Sequence, residues 1–390
     1  MIEPFLEEIR EPDWHGTPAE LASTAYAEER SRAAEERWKG VQGGGEPPRD
    51  FVERVRDITH GKLCDVVYDG VGRATFPASL DCLRPMGMFV SFGSASGPID
   101  AFDIGLLTLK GSLYVTRPSL FTYIAKRKDY EAMAEDTLAL MRQMVEDGEV
   151  DHLVPERVWQ ELSRGLIAMR PSRMFEVLRE SGALRVLLPE LDRLWGVPQR
   201  AEHHPEIDTG VHVMMVVDYA ASQNHPLDVR FAALTHDLGK AATPKEELPR
   251  HHGHEERSVG LVKALCERLR VPTECRDLAL VMAREHGNIH RTAELRANTI
   301  VKLLQSVDAF RKPERFARLL LACESDKRGR LGGIDRPYPP AARMAAALQA
   351  AASVDAGVMA KQVVEPEAIK EKIYQARVAA VKTALREQDE

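Results

Sequence analysis

A chain of 390 residues, 44% hydrophobic and 29% charged, is long enough for more than one core and too balanced in composition to be a disordered or fibrous polymer. Its formal net charge of -7 excludes a protein that is basic overall, so a nucleic-acid partner has to be met by a local basic face. The opening "MIEPFLEEIREPDW" is acidic where a secretion signal is basic and then apolar, no run of about 18 apolar residues occurs, and the five cysteines form no C-x-x-C pair; a cytoplasmic chain with reduced thiols and no membrane span is expected.

Along the chain, Thr17, Pro18 and Glu20 suit the N-cap, first and third positions of a helix, which predicts one from Pro18 to about Trp38 before the linker "GGGEPP". Residues 1–47 therefore read as an N-terminal helical segment and linker. Residues 48–135 alternate: "FVERVRDITH" helical, "CDVVYDGVG" a buried strand, "ATFPASLDCLRPM" helical, "GMFVSFGSASG" a strand with a glycine turn, "GSLYVTRPSL" another strand. Apolar β-branched runs separated by helical stretches point to parallel strands, here a partial, half Rossmann-like α/β segment. Residues 136–390 carry helix signals and no strand signal, with Pro155, Asp208, Thr273 and Asn298 at the openings of helical stretches. The expected fold class is mainly α.

Ten of the 13 histidines fall between His203 and His290, 88 residues where even spreading would put about three. His212 sits mid-helix, His236 and Asp237 end the helix "DVRFAALTHDLGK", "RHHGHEE" follows at 250–256, His286 ends another helix, and Asp326 stands in "CESDKRGR". Imidazole and carboxylate are the usual ligands of borderline divalent metals, and a helical bundle can gather them from several helices. Gly239 suits a chain reversal after the doublet, and Lys240 lies near enough to neutralise a phosphate oxygen. Such a site supports hydrolysis of a phosphoester, the ion acidifying water and offsetting phosphoryl charge.

The stretches "LALMRQMVEDGEVDHLVPERVWQEL", "VLRESGALRVLLPELDRLWGVP", "HHPEIDTGVHVMM", "DVRFAALTHDLGKAATP", "PRHHGHEERSVGLV", "ANTIVKLLQSVDAFRKPERF" and "ESDKRGR" closely resemble the body and tail of bacterial multifunctional CCA-adding enzymes (tRNA nucleotidyltransferases) that carry a C-terminal HD domain, over residues 136–361. The resemblance implies an all-helical HD-type domain at about 205–330, metal binding by His212, His236, Asp237 and Asp326, and a cleft lined by His252, His254 and His286. It also implies 2′,3′-cyclic phosphodiesterase, 2′-nucleotidase and phosphatase action with nickel, or with magnesium, cobalt or manganese; His236, Asp237, Lys240 and His286 are the expected catalytic group. The nucleotidyltransferase head of that family is not legible: "GGGEPPRD" has two prolines inside the would-be loop and no D-x-D pair follows, so addition of CTP and ATP is not expected.

Residues 50–135 resemble instead the distal half of the cofactor domain of zeta-crystallin-like NADPH:quinone oxidoreductases, which would put Phe92 and Gly93 near a nicotinamide. Without a G-x-G-x-x-G turn there is no pyrophosphate cradle, and NADPH is not expected to bind. The chain thus reads as a mosaic joined near "AEDTLALMRQ". Residues Glu294 to Arg330 hold nine basic against five acidic side chains, and Lys302, Arg311, Lys312, Arg315, Arg328 and Arg330 are candidates for contact with tRNA, the other expected partner being a small phosphoester. The competing readings are a non-catalytic tRNA-binding body and a reductase fragment.

Overall fold

The computed structural model describes residues 51–202, 204–361 and 366–389; the predicted helix from Pro18 and the glycine-proline linker lie outside the described residues. Two compact units divide between Met133 and Ala134, within the helix Arg127–Glu146. Among the described residues no helix is long and apolar enough to cross a membrane.

In the first unit three parallel strands, β1 (Cys64–Asp69), β2 (Leu83–Ser91) and β3 (Tyr114–Thr116), form a sheet in that order. The short helices Phe76–Leu80 and Gly105–Leu109 supply apolar cover, and Phe76, Leu80, Phe89 and Leu113 are buried together with Val67, Leu106 and Leu107 packed against them. Asp69, at the end of β1, fixes the following turn: its Oδ1 accepts from the amides of Val71 and Gly72, both at 2.8 Å, and its Oδ2 from the hydroxyls of Thr75 and Ser79. Burial works to raise this carboxyl's pKa, and the four donors overcome it, leaving the pKa below its ordinary value.

Two expectations are corrected here. Within the stretch read as a buried strand, β1 has one buried residue, Asp69, because only one face of it is covered: Val67 meets the core while Tyr68 is 72% exposed. The helical reading of "ATFPASLDCLRPM" holds only to Leu80, and Leu83 already belongs to β2. Pro85 cannot donate to a ladder, Met86 has a φ of 62°, and the β1–β2 register shifts between Cys64 and Val66, so a bulge interrupts the periodicity by which a strand is recognised.

The second unit is helical, its described residues containing only an isolated bridge between Pro198 and Asp208. Five helices build the site: α1 (Thr209–Ser222), α2 (Leu227–Thr235), α3 (His254–Arg268), α4 (Thr273–His290) and α5 (Pro313–Arg328). Asp208 caps α1, its carboxylate accepting from the Val211 amide at 2.9 Å. Every residue of α2 from Asp228 to Thr235 is buried, and α2 packs on α1, α4, α5 and the helix Pro155–Ile167. A helix enclosed on all sides must satisfy its polar side chains internally. Arg230 does so by donating to the carbonyls of Leu166, Ala168 and His225, and Asp228 by accepting from Arg318 at 2.7 Å.

The central helix thereby carries His236 to a fixed place at its C-terminal end. Phe231, fully buried, meets Trp159 edge-on with ring centroids 5.2 Å apart. Truncating Phe231→Ala is expected to cost about 3–5 kcal/mol, read as a lower urea midpoint with unchanged slope. A loss within about 1 kcal/mol would contradict the placement of α2 at the centre of the core.

Candidate metal centre

His236 terminates α2, and Asp237 begins the tight turn Leu238–Ala242. The turn lies against α3: a Cβ on Gly239 would stand 2.2 Å from the carbonyl oxygen of His254 and 2.5 Å from the amide nitrogen of Ser258. Glycine is needed at 239 for this close approach rather than for a chain reversal, since its φ is not among the positive ones. The Gly239 amide donates to Ser258 Oγ at 2.8 Å, locking the doublet to the start of α3.

His212 from α1, His254 from the first turn of α3, His286 and His290 from one face of the last turn of α4, and Asp326 from α5 converge on the doublet. Three imidazoles are oriented by main-chain carbonyls. Nδ1 of His236 donates to Ala233 O at 2.8 Å, that of His254 to His251 O at 2.8 Å, and that of His286 to Met282 O at 3.0 Å. A carbonyl oxygen can only accept, so each Nδ1 bears a proton, and a ring that carries no second proton offers its Nε2 lone pair to the centre.

Those lone pairs meet other acceptors. Nε2 of His254 and of His286 are 3.4 Å apart, and they lie 3.4 and 3.6 Å from Asp237 Oδ1. His236 Nε2 is 3.1 Å from Asp237 Oδ2 and 3.7 Å from Asp326 Oδ1, which is itself 3.1 Å from His212 Nε2. His236 Nε2 and Asp237 Oδ1 are buried with no aligned hydrogen-bond partner among the described residues. Acceptors packed this way repel unless positive charge stands between them, and atoms about 2 Å from a shared ion lie about 3–4 Å apart. The donor atoms of His212, His236 and Asp326, and those of Asp237, His254 and His286, each fall within 4.8 Å of one another, so both sets fit a divalent ion.

The two carboxylates shape the electrostatics of the centre. Burial opposes ionisation of His236, yet the carboxylates of Asp237 and Asp326 raise its pKa above the ordinary value. Burial lowers that of His286 to about 3, the nearby Asp237 offsetting this only in part, so the ring is neutral. Burial works to raise the pKa of Asp326, but Arg330, His290 and His236 hold it well below the usual carboxylate range. His290 Nε2 sits 2.5 Å from Asp326 Oδ2 and its Nδ1 2.9 Å from the Tyr338 hydroxyl, and Arg330 donates to Asp326 Oδ1 at 3.0 Å.

Among the expected site residues, His212, His236, Asp237, His254, His286 and Asp326 come together. Lys240 is there too, buried, with Nζ 2.7 Å from Asp237 Oδ2 and donating to Gln199. His252 does not reach the donor groups; it is exposed on the wall of the adjoining pocket. Arg330 belongs to the centre, its side chain 11% exposed, while Arg328 is paired with Glu324 at 2.8 Å. Lys302 and Lys312 are exposed, Arg311 is ion-paired with Asp308, and Arg315 donates to Val307 O. Phe92 and Gly93 lie in the other unit: the Phe92 ring is 62% exposed over Gly70, and a Cβ on Gly93 would come 2.4 Å from the carbonyl of Gly70.

Sequence reasoning missed His290, Glu206 and His204. His290 was readable as the same-face partner of His286, four residues on. Glu206, its Oε1 2.8 Å from His212 Nδ1 though off the axis of a hydrogen bond, reaches the site from an irregular loop and has no such signature.

The HD domain model matches residues 209–323, the model described as the probable RNA and SrmB-binding site of polymerase A matches 132–194, and the zinc-binding dehydrogenase model matches 24–138. A quinone oxidoreductase of Escherichia coli, solved with NADPH, shares 49% identity over 23% of this chain and 28% of its own, with a TM-score of 0.23. The multifunctional CCA protein of Burkholderia lata is 64% identical over 264 residues, which are 67% of this chain and 64% of that protein. That of Cupriavidus metallidurans is 64% identical over 254 residues, of which this chain spans 61% of the relative's length. That of Burkholderia ambifaria is 58% identical over 306 residues, 75% of this chain and 74% of the relative. The helical bundle, its histidine-aspartate centre and this extent of identity place the chain in the family of the multifunctional CCA proteins.

Proposed function

We propose that the chain is a divalent-metal-dependent phosphohydrolase acting on 2′,3′-cyclic phosphodiesters, 2′-nucleotides and phosphomonoesters. The observation that carries this reading is the convergence of buried acceptors, His236 Nε2 and Asp237 Oδ1 above all, around a centre that suits a cation. His212, His236, Asp237 and Asp326 would hold the ion, with His254 and His286 as further donors to Asp237's side. When bound, the ion would supply Lewis acidity toward a phosphoryl oxygen and make a nearby water more acidic. The imidazoles in the donor set suit nickel or cobalt better than magnesium or manganese, which favour oxygen donors.

The protein's own groups do the rest. Lys240, steadied by Asp237 and Gln199, offers its ammonium to a phosphoryl oxygen as charge builds there. His286, neutral with its lone pair turned to Asp237, is suited to hold an ion rather than to take a proton. The Tyr338–His290 pair and Arg330 keep Asp326 ionised and in place. The oxygen of water adds to phosphorus, the bond from phosphorus to one ribose oxygen breaks, and that oxygen leaves with a proton. An RNA end as substrate is supported by the match at 132–194 and by exposed Lys302 and Lys312. The same features support the second reading, a tRNA-binding body without hydrolysis.

Purified chain supplied with nickel is expected to open adenosine 2′,3′-cyclic phosphate, with chelator abolishing turnover and His236→Ala lowering kcat/KM by more than about 100-fold, the scale of several kcal/mol of lost charge stabilisation. Turnover that survives chelation, or none with nickel, cobalt, manganese or magnesium, would sink this reading. Binding of tRNA without turnover would favour the second. Removing the support of Asp326 by His290→Leu is expected to weaken metal affinity by about 10–100-fold in competition with a coloured chelator, with far-UV circular dichroism unchanged. Unaltered affinity would remove His290 from the account.

A further inference from the structure

We propose that the pocket beside the metal centre is a subsite for a second phosphate, held by Arg200 and Arg250, so that the preferred substrate carries a phosphate besides the one that reacts. This rests on the phosphohydrolase reading. The pocket, about 640 Å³, opens from Lys240 and His254 and is therefore continuous with the donor groups around Asp237. That volume is within the range that accepts a nucleotide-sized ligand, much more than one phosphate requires.

Its lining is strongly biased in charge. Arg200, Lys240, Arg250 and Arg291 face it, against the single carboxylate of Glu255. Lys240 is already engaged with Asp237 and Gln199, and Glu255 lies 3.3 Å from His254 Nδ1. Arg291 donates through Nε to Gly287 O. Arg200 and Arg250 are exposed and have no side-chain partner among the described residues. Placing uncompensated guanidinium groups next to a centre that itself binds a cation is unfavourable by like-charge repulsion, and an anion entering between them reverses the sign. The reacting phosphate is served by the ion and Lys240, so the anion that the arginines await is a different one. Guanidinium is the cation best matched to a phosphate by its forked donors.

The backbones that bear the two arginines are strapped together. Arg200 follows Gln199, whose side-chain oxygen accepts from Lys240 and whose amide donates to Ile207 O at 2.7 Å. Arg250 precedes His251, whose Nε2 donates to Pro198 O at 3.0 Å while its Nδ1 accepts from Thr243 Oγ1 at 2.8 Å. Arg257 closes the strap, donating to the carbonyls of Gly239 and His252 and to Thr243 Oγ1. The loops on the two sides of the pocket thus hold a fixed distance, and the arginines project from a common frame tied to the turn of the His-Asp doublet. A cyclic nucleoside phosphate with nothing at its 5′ position leaves this frame unused; a 5′-phosphate or an upstream phosphodiester fills it.

The test uses the full chain with nickel and three substrates: adenosine 2′,3′-cyclic phosphate, the same nucleotide bearing a 5′-phosphate, and a dinucleotide ending in the cyclic phosphate. The two substrates with a second phosphate are expected to show kcat/KM higher by about tenfold, the scale of one charge-assisted contact. In Arg200→Ala/Arg250→Ala that ratio is expected to fall to about one. A 5′-phosphate advantage without one for the dinucleotide assigns the subsite to a terminal phosphate, and equal advantages assign it to either source. Calorimetry in chelator gives a readout without turnover: adenosine 3′,5′-bisphosphate should bind more tightly than adenosine 3′-monophosphate in the natural chain and equally in the double variant. Equal kcat/KM on all three substrates, or a ratio untouched by the double variant, overturns the subsite. If the natural chain turns over none of them, the hydrolase reading fails, and the calorimetric difference alone upholds or overturns the subsite.

Discussion

Two buried carboxylates, Asp237 at 1% and Asp326 at 2% exposure, set the terms on which this helical unit folds. Removing an ionised carboxylate from water costs several kcal/mol unless charge and hydrogen bonds replace the lost solvent. Asp237 meets Lys240, His236, His254 and His286; Asp326 meets His212, His236, His290 and Arg330. These partners come from α1, the end of α2, α3, α4 and the end of α5, so compensating the two anions demands the convergence of all five helices. The apolar enclosure of α2 then ensures that the doublet arrives at one place, and the absent Cβ of Gly239 lets α3 close on it.

Much of that centre was legible in the sequence, because histidine density and the His-Asp doublet are properties of composition and adjacency. The helices of the second unit were legible too, their periodicity being local, but of the expected openings Asp208 caps its helix while Thr273 and Asn298 are the first and second residues inside theirs. What escaped was the pairing of distant groups. Arg330 belongs to a basic run and reads as a phosphate-tracking surface charge, yet it lies one helical turn after Asp326 and is consumed by it. His252 and His254 look alike in "RHHGHEE", but only His254 is placed by the start of α3 to face inward. Glu206 has no periodic neighbour to announce it.

The α/β unit illustrates the opposite limit. The parallel direction of its strands follows from the alternation of apolar runs and helical stretches. Their exposure does not, since burial of a strand depends on what covers it and Val67 and Tyr68 are neighbours in one run with opposite fates. The early start of β2 was hidden by a bulge at Pro85 and Met86, where the two-residue period is lost.

Three imidazoles of the candidate centre take their orientation from the carbonyls of Ala233, His251 and Met282. A main-chain acceptor survives any substitution of the side chain attached to it. The aim of these rings is therefore inherited from helix and turn geometry and is insulated from mutation at the residues that provide it. Sequence drift around the centre can retune packing and access while the direction in which its rings point stays constant.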